Sequence, residues 1–281
     1  MVFEHDQEYD DGAVGIQVVG GGVNEGETLK RAALRETFEE SGLTLERAVF
    51  LGTSHYESKF GRLEGQKQVR HYFWLEAPLE TPDMWSHTVS SGELDKGMVF
   101  HHRFVPLEQA ELVFGMGEML DILRVRMGFT NIKDFRLSTS HLACVCLFNS
   151  EGEVLYINDV TMYERDSWGG GGSFLPFCHI EQHREPILRC NHFFTQVFSL
   201  SLGNIEINKL YKIVDFNCIK IYLCCKTEED YRIKYPLSEV RLKSGDEIFT
   251  EEAHWRIIDE YVFGTDSRRV YEFAYLEIMN E

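Results

Sequence analysis

The chain is poor in positive charge: 28 Lys and Arg residues stand against 46 Asp and Glu residues among 281, and the formal net charge is −18. A surface that binds a nucleic-acid duplex needs clustered Lys and Arg, so this composition argues against a nucleic-acid partner. No apolar run approaches the ~18 residues of a membrane-spanning helix, and the acidic N-terminus lacks a signal-peptide pattern. These absences predict a cytoplasmic protein with no membrane partner.

Cysteine is missing from the first half of the chain. The second half has seven cysteines, an odd number without zinc-type spacing: Cys144, Cys146, Cys178, Cys190, Cys218, Cys224 and Cys225. We interpret them as reduced core residues of an intracellular protein, with a metal or redox site as the alternative.

The length suggests two domains, and 43% apolar residues suffice for two cores. We predict a first domain over residues 1–130 and a second over 131–281, with the segment 128–140 as the linker. The first domain should contain a strand over 13–19, a helix from Thr28 to Ser41 ended by Gly42, strands over 70–77 and 97–107, and a helix over 118–127. The second should contain a hairpin over 141–159, a strand over 218–225 and an amphipathic helix over 251–263.

The first predicted helix concentrates acid at its C-terminal end, where the helix dipole disfavours negative charge. Glu36, Glu39 and Glu40 occupy positions i, i+3 and i+4, so they converge on one patch, while Leu34, Thr37 and Phe38 would face a sheet. Glu36 and Glu40 are a like-charge pair that costs about 0.2–0.5 kcal/mol. When a segment departs from the usual charge preferences of a helix at one place, that place is often a functional site.

Three carboxylates on one patch are hard oxygen ligands that suit Mg²⁺ or Mn²⁺, and a divalent cation would turn their repulsion into attraction. Gly20, Gly21 and Gly22 precede the helix, and their small size lets a loop carbonyl approach as a further ligand. The alternative is a solvated acidic helix face. The glycine loop that leads into the helix favours the metal.

The stretch GGGVNEGETLKRAALRETFEESGL resembles the signature box of the Nudix hydrolases. The box positions fall at Gly21, Glu27, Arg35, Glu36, Thr37, Glu39, Glu40, Gly42 and Leu43. Thr37 departs from the usual aliphatic residue, and Val19 replaces the usual Pro before the glycines. The resemblance covers residues 2 to 126, and the family's first strand would precede Met1. It implies a Nudix-type α/β/α sandwich with a mixed sheet, within the α/β (α+β) class.

The resemblance also implies a site and an activity. Glu36, Glu39 and Glu40 would hold Mg²⁺ or Mn²⁺ together with the Gly20 carbonyl. Arg35 and Glu27 would complete the catalytic set by orienting the glutamates. The enzyme would cleave a diphosphate bond in a nucleoside diphosphate linked to another group, so its partner would be a nucleotide-type small molecule.

Several supporting roles stay open. The general base is a box glutamate or one of the later acids Glu57, Glu64, Glu93 and Asp95, each of which is also an ordinary surface acid. Trp85, Tyr56 and Phe60 are candidates for stacking a base or nicotinamide, or belong to a core.

The second half resembles the same box with its carboxylates lost. Laid against the box, it places Cys178 at the first glycine, with non-acidic residues at the remaining positions: Arg184, His192, Phe193, Gln196 and Val197. We predict tandem Nudix-like domains, the second catalytically dead. An unrelated α+β domain is the alternative. His179, Glu181 and His183 alternate along the chain but lack a fourth metal ligand.

Two further classes of function stay open beside the enzyme. One is a nucleotide-binding regulatory protein, although the acidic, aromatic-rich C-terminus does not fit a DNA-binding appendage. The other is a scaffold with impaired catalysis. The substrate is undetermined among nucleoside triphosphates, ADP-ribose, nucleotide sugars and dinucleoside polyphosphates, and a homodimer is also left open.

Overall fold

The fold was obtained as a computed structural model. It describes residues 1–5, 15–59, 64–92, 95–136, 141–150, 154–159, 173–174, 177–180, 184–198, 207–214, 219–226, 240–244, 247–256 and 265–278. The chain divides into two compact units, residues 1–124 and 125–281. Within the described part of the chain, no helix has the length and apolar character needed to cross a membrane.

The first unit combines a three-stranded antiparallel sheet, an antiparallel pair of strands and one long helix. Its elements are β1 (Val2–His5), α1 (Leu29–Ser41), β2 (Ala48–Glu57), β3 (Lys67–Leu75), β4 (Met84–Thr88), β5 (Val99–Arg103) and most of the short helix α2 (Leu120–Arg126). One sheet has the order β1-β5-β4. Strands β2 and β3 pair antiparallel, with Ala48 opposite Leu75 and Glu57 opposite Lys67.

A small aromatic core lies under the three-stranded sheet. The rings of Phe3 and Phe100 stack with centroids 4.1 Å apart, and Val89 completes the buried cluster. Phe3 exchanges two backbone hydrogen bonds with Gln17, of 2.9 and 3.0 Å, in the segment that leads to the glycines. This core fixes the sheet that contacts the end of α1.

The second unit is built on a mixed sheet. Its elements are β6 (His141–Phe148), β7 (Val154–Asp159), β8 (Ser173–Phe174), β9 (Phe177–Ile180), α3 (Pro186–Phe198), β10 (Ile207–Val214), β11 (Ile219–Lys226), β12 (Val240–Ser244), β13 (Glu247–Arg256) and α4 (Thr265–Ile278). The strand order is β12-β13-β7-β6-β11-β10. Strands β6 and β11 run parallel, whereas β10 and β11 run antiparallel.

Five cysteines whose side chains the structure describes are buried in this unit and are not joined in disulfides, as expected for reduced core residues: Cys144, Cys146, Cys190, Cys224 and Cys225. Burial raises the pKa of the Cys225 thiol, which keeps it in the unreactive protonated form.

Most predicted elements are present. The hairpin of β6 and β7, the strand at 218–225 and the helices at 28–41 and 118–127 are confirmed, with ends shifted by a few residues. The helix predicted over 251–263 is wrong over residues 251–256, because they belong to β13, which pairs with β7 and β12. The rest of that prediction, 257–263, lies outside the described residues. The polar and apolar residues of EEAHWR fit the two-residue period of a strand as well as the 3.6-residue period of a helix. Pairing with two neighbouring strands favours the strand. The C-terminal helix α4 was not predicted.

Candidate active site

Helix α1 begins and ends at the residues that the sequence predicts. The side-chain Oγ1 of Thr28 accepts a hydrogen bond of 3.3 Å from the backbone N–H of Arg31, the usual arrangement of an N-cap. At the other end, Gly42 adopts φ 77°, and its N–H donates to the Phe38 carbonyl at 2.8 Å. Left-handed backbone of this kind favours glycine. These caps fix the register of every acid on the helix.

Arg35 is the hub of the acidic cluster. Its Nε and Nη2 donate to the two carboxylate oxygens of Glu27 at 3.0 and 2.8 Å. Its Nη1 donates to Glu36 at 2.7 Å and to Glu39 at 3.1 Å. Nη2 also reaches the carbonyl oxygen of Gly22 at 2.7 Å. One planar guanidinium therefore ties the glycine loop to three carboxylates.

This arrangement explains how the chain tolerates acids at the end of a helix. The guanidinium beside Glu27 lowers the pKa of that carboxyl to about 2, so the group stays ionised. Arg35 supplies positive charge to Glu36 and Glu39, so a divalent cation is not the only group that relieves their repulsion.

Glu40 has a different environment from the other two acids. It is 6% exposed, and its Oε2 accepts a hydrogen bond of 3.1 Å from the N–H of Gly20. Burial raises the pKa of Glu40 to about 8, and the charges of Asp95, Glu36 and Glu39 act in the same direction. A cation that reaches this position would therefore stabilise the ionised form of the Glu40 carboxylate.

The faces of α1 differ from the prediction. Thr37 is buried as expected, but Phe38 is 51% exposed, whereas Glu40 lies on the buried face. Thr37 is accommodated because its hydroxyl donates to the carbonyl of Ala33 at 2.7 Å, within the helix. The three acids therefore do not share one solvated patch.

Glycine is required at position 21 because the loop backbone passes close to the Glu36 side chain. A Cβ atom placed on Gly21 would overlap the carboxylate group of Glu36, whereas a Cβ on Gly20 or Gly22 would meet nothing within 4 Å. The absence of a side chain at this one position lets the loop pass directly over the glutamate.

Three aromatic rings from β4 and β5 contact the C-terminal end of α1. Their ring nitrogens approach three successive carbonyl oxygens: His87 Nε2 to Glu39 at 3.2 Å, His102 Nε2 to Glu40 at 2.9 Å, and Trp85 Nε1 to Ser41 at 2.8 Å. The last carbonyls of a helix have no partners within it, so these rings supply the missing donors. Sequence reasoning did not find the two histidines, because only the folded sheet brings β4 and β5 to the helix.

The environment of His102 favours the neutral ring. It is 1% exposed and stacks on Trp85 with centroids 4.9 Å apart. Burial lowers the pKa of His102. Because its Nε2 faces a carbonyl oxygen, the proton of the neutral imidazole belongs on Nε2.

The structure brings all of the predicted site residues to one place: Gly20, Glu27, Arg35, Glu36, Glu39 and Glu40. It does not arrange them as a preformed metal cage. Among the described residues, no group of three or more His, Cys, Asp or Glu side chains is positioned to hold a metal ion. Arg35 holds Glu36 and Glu39, and Glu40 is turned toward the Gly20 amide.

The candidate bases differ in position. Asp95 is half-buried, and its charge acts on Glu40. Glu57 ends β2 and is exposed, as is Glu64. Glu93 lies outside the described residues, as do Glu181 and His183 of the alternating set in the second half.

The candidate stacking residues have other partners in the structure. Trp85 stacks on His102. Tyr56 lies under the guanidinium of Arg70, 3.6 Å from its Cζ to the ring centroid. Phe60 lies outside the described residues.

Comparison with known families gives one match. Residues 5–122 match the model of the NUDIX domain, a range that contains the whole glutamate cluster and its glycine loop. No curated protein sequence matches the chain.

Proposed function

We propose, from the match of residues 5–122 to the NUDIX domain, a domain of hydrolases that act on nucleoside diphosphate derivatives, that the chain is a Mg²⁺- or Mn²⁺-dependent diphosphate hydrolase. It would cleave the diphosphate bond of a nucleoside diphosphate linked to another group. The observation that carries the proposal is the Arg35-centred network, which holds Glu27, Glu36 and Glu39 beside the buried carboxylate of Glu40.

The residues fit a divalent cation by the chemistry of their donors. Glu36, Glu39 and Glu40 offer hard carboxylate oxygens within one helical turn, and Mg²⁺ prefers such ligands. Burial makes the ionised form of Glu40 costly without a cation. The N–H of Gly20 donates to the Glu40 carboxylate, which brings the glycine loop to the acids, and the family resemblance adds the Gly20 carbonyl to the same set.

Each protein group has a distinct task in this proposal. Glu36, Glu39 and Glu40 would hold the ion, which when bound supplies neutralisation of diphosphate charge, polarisation of phosphorus and a lowered pKa of a coordinated water. Arg35 positions Glu36 and Glu39 through charge-assisted hydrogen bonds, and Glu27 fixes the guanidinium plane through its two oxygens.

A general base is needed to take the proton from the attacking water. Asp95 is favoured among the described candidates outside the box, because its charge acts on Glu40. Glu57 and Glu64 are exposed. A box glutamate remains an equal candidate for the same role.

The test is a hydrolysis assay with nucleoside triphosphates, ADP-ribose, nucleotide sugars and dinucleoside polyphosphates. Each compound is incubated with Mg²⁺ and with Mn²⁺, and released phosphate, pyrophosphate and nucleoside monophosphate are measured. We expect turnover of at least one compound that chelation abolishes. Glu39→Gln should remove it, whereas Glu80→Gln, which changes an exposed acid in a turn, should not. Release of nothing from any compound would contradict the proposal.

A nucleotide-binding role without turnover is the second candidate. The observation that favours it is the pairing of Glu36 and Glu39 with Arg35. Saturable binding of a nucleotide from the same panel, without product release at any metal concentration, would identify this role.

A further inference from the structure

Two side chains of β3 bind the same short segment of the first unit, residues 112–115. The guanidinium Nη1 of Arg70 donates to the carbonyl oxygen of Phe114, and the hydroxyl of Tyr72 donates to the carbonyl oxygen of Gly115 at 3.1 Å. The hydrogen-bonded residues are 44 and 43 positions apart in the chain. These two contacts therefore hold the segment against β3.

Arg70 is itself held in place by its neighbours. Its Nε donates to the side-chain oxygen of Gln68 at 3.0 Å, and its Cζ lies 3.6 Å from the centroid of the Tyr56 ring. A Cβ atom placed on Gly115 would lie 3.0 Å from the same ring, so the ring also contacts the segment. These contacts engage the guanidinium within the fold, which favours a hold on the backbone over the binding of a ligand.

Phe114 has a backbone conformation that needs such support. Its φ is 56°, in the left-handed region, and no other non-glycine residue in the described part of the chain has a positive φ. A bulky aromatic residue is rarely found there, because its Cβ crowds the backbone. Strain of this kind persists where surrounding contacts enforce it, and it is concentrated near functional sites. The hydrogen bonds from Arg70 and Tyr72 to successive carbonyls are contacts of that kind.

The segment held by β3 contacts residues 15–17, which lead to the glycine loop. The N–H of Val113 donates to the carbonyl oxygen of Ile16 at 3.2 Å, and Ile16 forms a parallel bridge with Leu112. A Cβ atom placed on Gly15 would lie 2.2 Å from a methyl carbon of Val113. The two segments are therefore in direct contact, and a displacement of one is transmitted to the other.

The glycine loop begins three residues beyond Gln17. The N–H of Gly20 donates to the carboxylate of Glu40 at 3.1 Å, and the carbonyl oxygen of Gly22 accepts from Arg35 at 2.7 Å. A displacement of residues 15–17 would therefore move the loop against the acids of α1.

We propose that Arg70 and Tyr72 are positioning residues of the hydrolase site. They act through the segments 112–115 and 15–17 on the glycine loop, and so keep Gly20 beside Glu40. This inference rests on the proposed function. Residues that support metal ligands from a distance contribute to metal affinity without touching the ion.

The test compares Arg70→Met with the matched control Arg124→Met in the full chain. Arg124 also donates to a backbone carbonyl, that of Leu107 at 3.0 Å, so each variant loses an arginine hydrogen bond to the backbone. Leu107 lies outside the segment 112–115. The readouts are the urea midpoint, the ¹⁵N NMR signals of the Gly20 and Gly22 amides without metal, and the Kd of Mn²⁺ from the electron paramagnetic resonance of the free ion.

We expect the urea midpoint to fall in both arginine variants. Only Arg70→Met should shift the glycine signals and raise the Kd of Mn²⁺ by about tenfold, at the low end of the ~10–100-fold effect of residues that support metal ligands. Tyr72→Phe removes one hydroxyl and should shift the same signals less, so it keeps the test valid if Arg70→Met does not fold. Unshifted glycine signals in the β3 variants, or equal Kd values for Arg70→Met and Arg124→Met, would overturn the proposal.

These readouts need no substrate, which separates the inference from the proposed hydrolysis. If the wild type neither binds Mn²⁺ nor hydrolyses any compound of the panel, the proposed function fails. The glycine signals alone then decide the positioning: a shift in Arg70→Met and Tyr72→Phe but not in Arg124→Met supports it, and any other pattern overturns it.

Discussion

The Nε2 of His102 lies 2.9 Å from the carbonyl oxygen of Glu40, the residue whose carboxylate is buried within the glutamate cluster. The ring therefore fixes the backbone of an expected metal ligand by contacting its carbonyl group and not its carboxylate. Because His87 and Trp85 do the same for Glu39 and Ser41, the sheet of β4 and β5 positions the end of α1.

Replacing His102 by Phe should loosen this end of the helix. The Phe ring keeps the stacking on Trp85, but the buried Glu40 carbonyl loses its donor, which costs about 1–3 kcal/mol. We expect a lower urea midpoint and a higher Mg²⁺ concentration for half-maximal activity. The matched control is His101→Phe, because His101 is the exposed neighbour on β5. Equal effects of the two substitutions would contradict the positioning role.

Arg35→Lys should impair activity although it conserves the charge. A lysine ammonium cannot reproduce contacts to Glu27, Glu36 and Glu39 from one planar group. Because this substitution removes or misdirects several charge-assisted hydrogen bonds at once, we expect roughly a tenfold or greater loss of kcat/KM. A double-mutant cycle with Glu27→Gln should show strongly non-additive effects. Additive losses would mean that the two side chains act independently.

Gly21→Ala should disturb the cluster, whereas Gly22→Ala should not. The added methyl group at Gly21 would overlap the carboxylate group of Glu36, while the one at Gly22 meets nothing within 4 Å. We expect Gly21→Ala to lower activity and the affinity for Mn²⁺, at nearly unchanged secondary structure by circular dichroism. Indistinguishable kinetics of the two variants would refute the close approach.

The stability of the metal-free protein should depend on pH through Glu40. Its folded pKa of about 8 lies above the ordinary value of 4.5, so between these values the folded state binds more protons than the unfolded state. This contribution is fully present below pH 4.5 and is lost as pH rises to 8, with a slope of at most ~1.4 kcal/mol per pH unit. Unfolding by urea in EDTA at pH 5 to 8 measures it.

Glu40→Gln is the control for that pH dependence. A neutral amide cannot titrate, so the decline in stability toward pH 8 should flatten in this variant. Mg²⁺ should stabilise the wild type more at pH 8 than at pH 5. An unchanged slope in Glu40→Gln would assign the pH dependence to another group.

The helix and its glycine loop could be predicted from sequence because their signals are local. Thr28 and Gly42 act on neighbours within four residues, and the spacing of the glutamates places them within one helical turn. The pairing of Arg35 with Glu27 and Glu36 was predicted only through the family resemblance, because it depends on the rotamer of Arg35, which reaches back eight residues to Glu27.

The remaining errors come from contacts between distant segments. Glu40 is buried and Phe38 is exposed because β4 and β5 cover one side of α1, and nothing within the helix sequence reveals which side. The segment 251–256 pairs with two strands, one of them over ninety residues earlier, and that pairing overrides its helical period. Tandem duplication of the NUDIX domain stays a prediction. Helix α3 does follow β9 and begins at Pro186, within the residues 178–197 that the sequence analysis compares with the box.

The most direct measurement is Mn²⁺ binding, followed by the electron paramagnetic resonance signal of the free ion, for wild type and for Glu40→Gln at pH 7.5. The account predicts saturable binding to the wild type and a loss of that binding in the variant, with circular dichroism unchanged. Equal binding by the two proteins would show that the cation lies elsewhere and would contradict the assignment of the glutamate cluster.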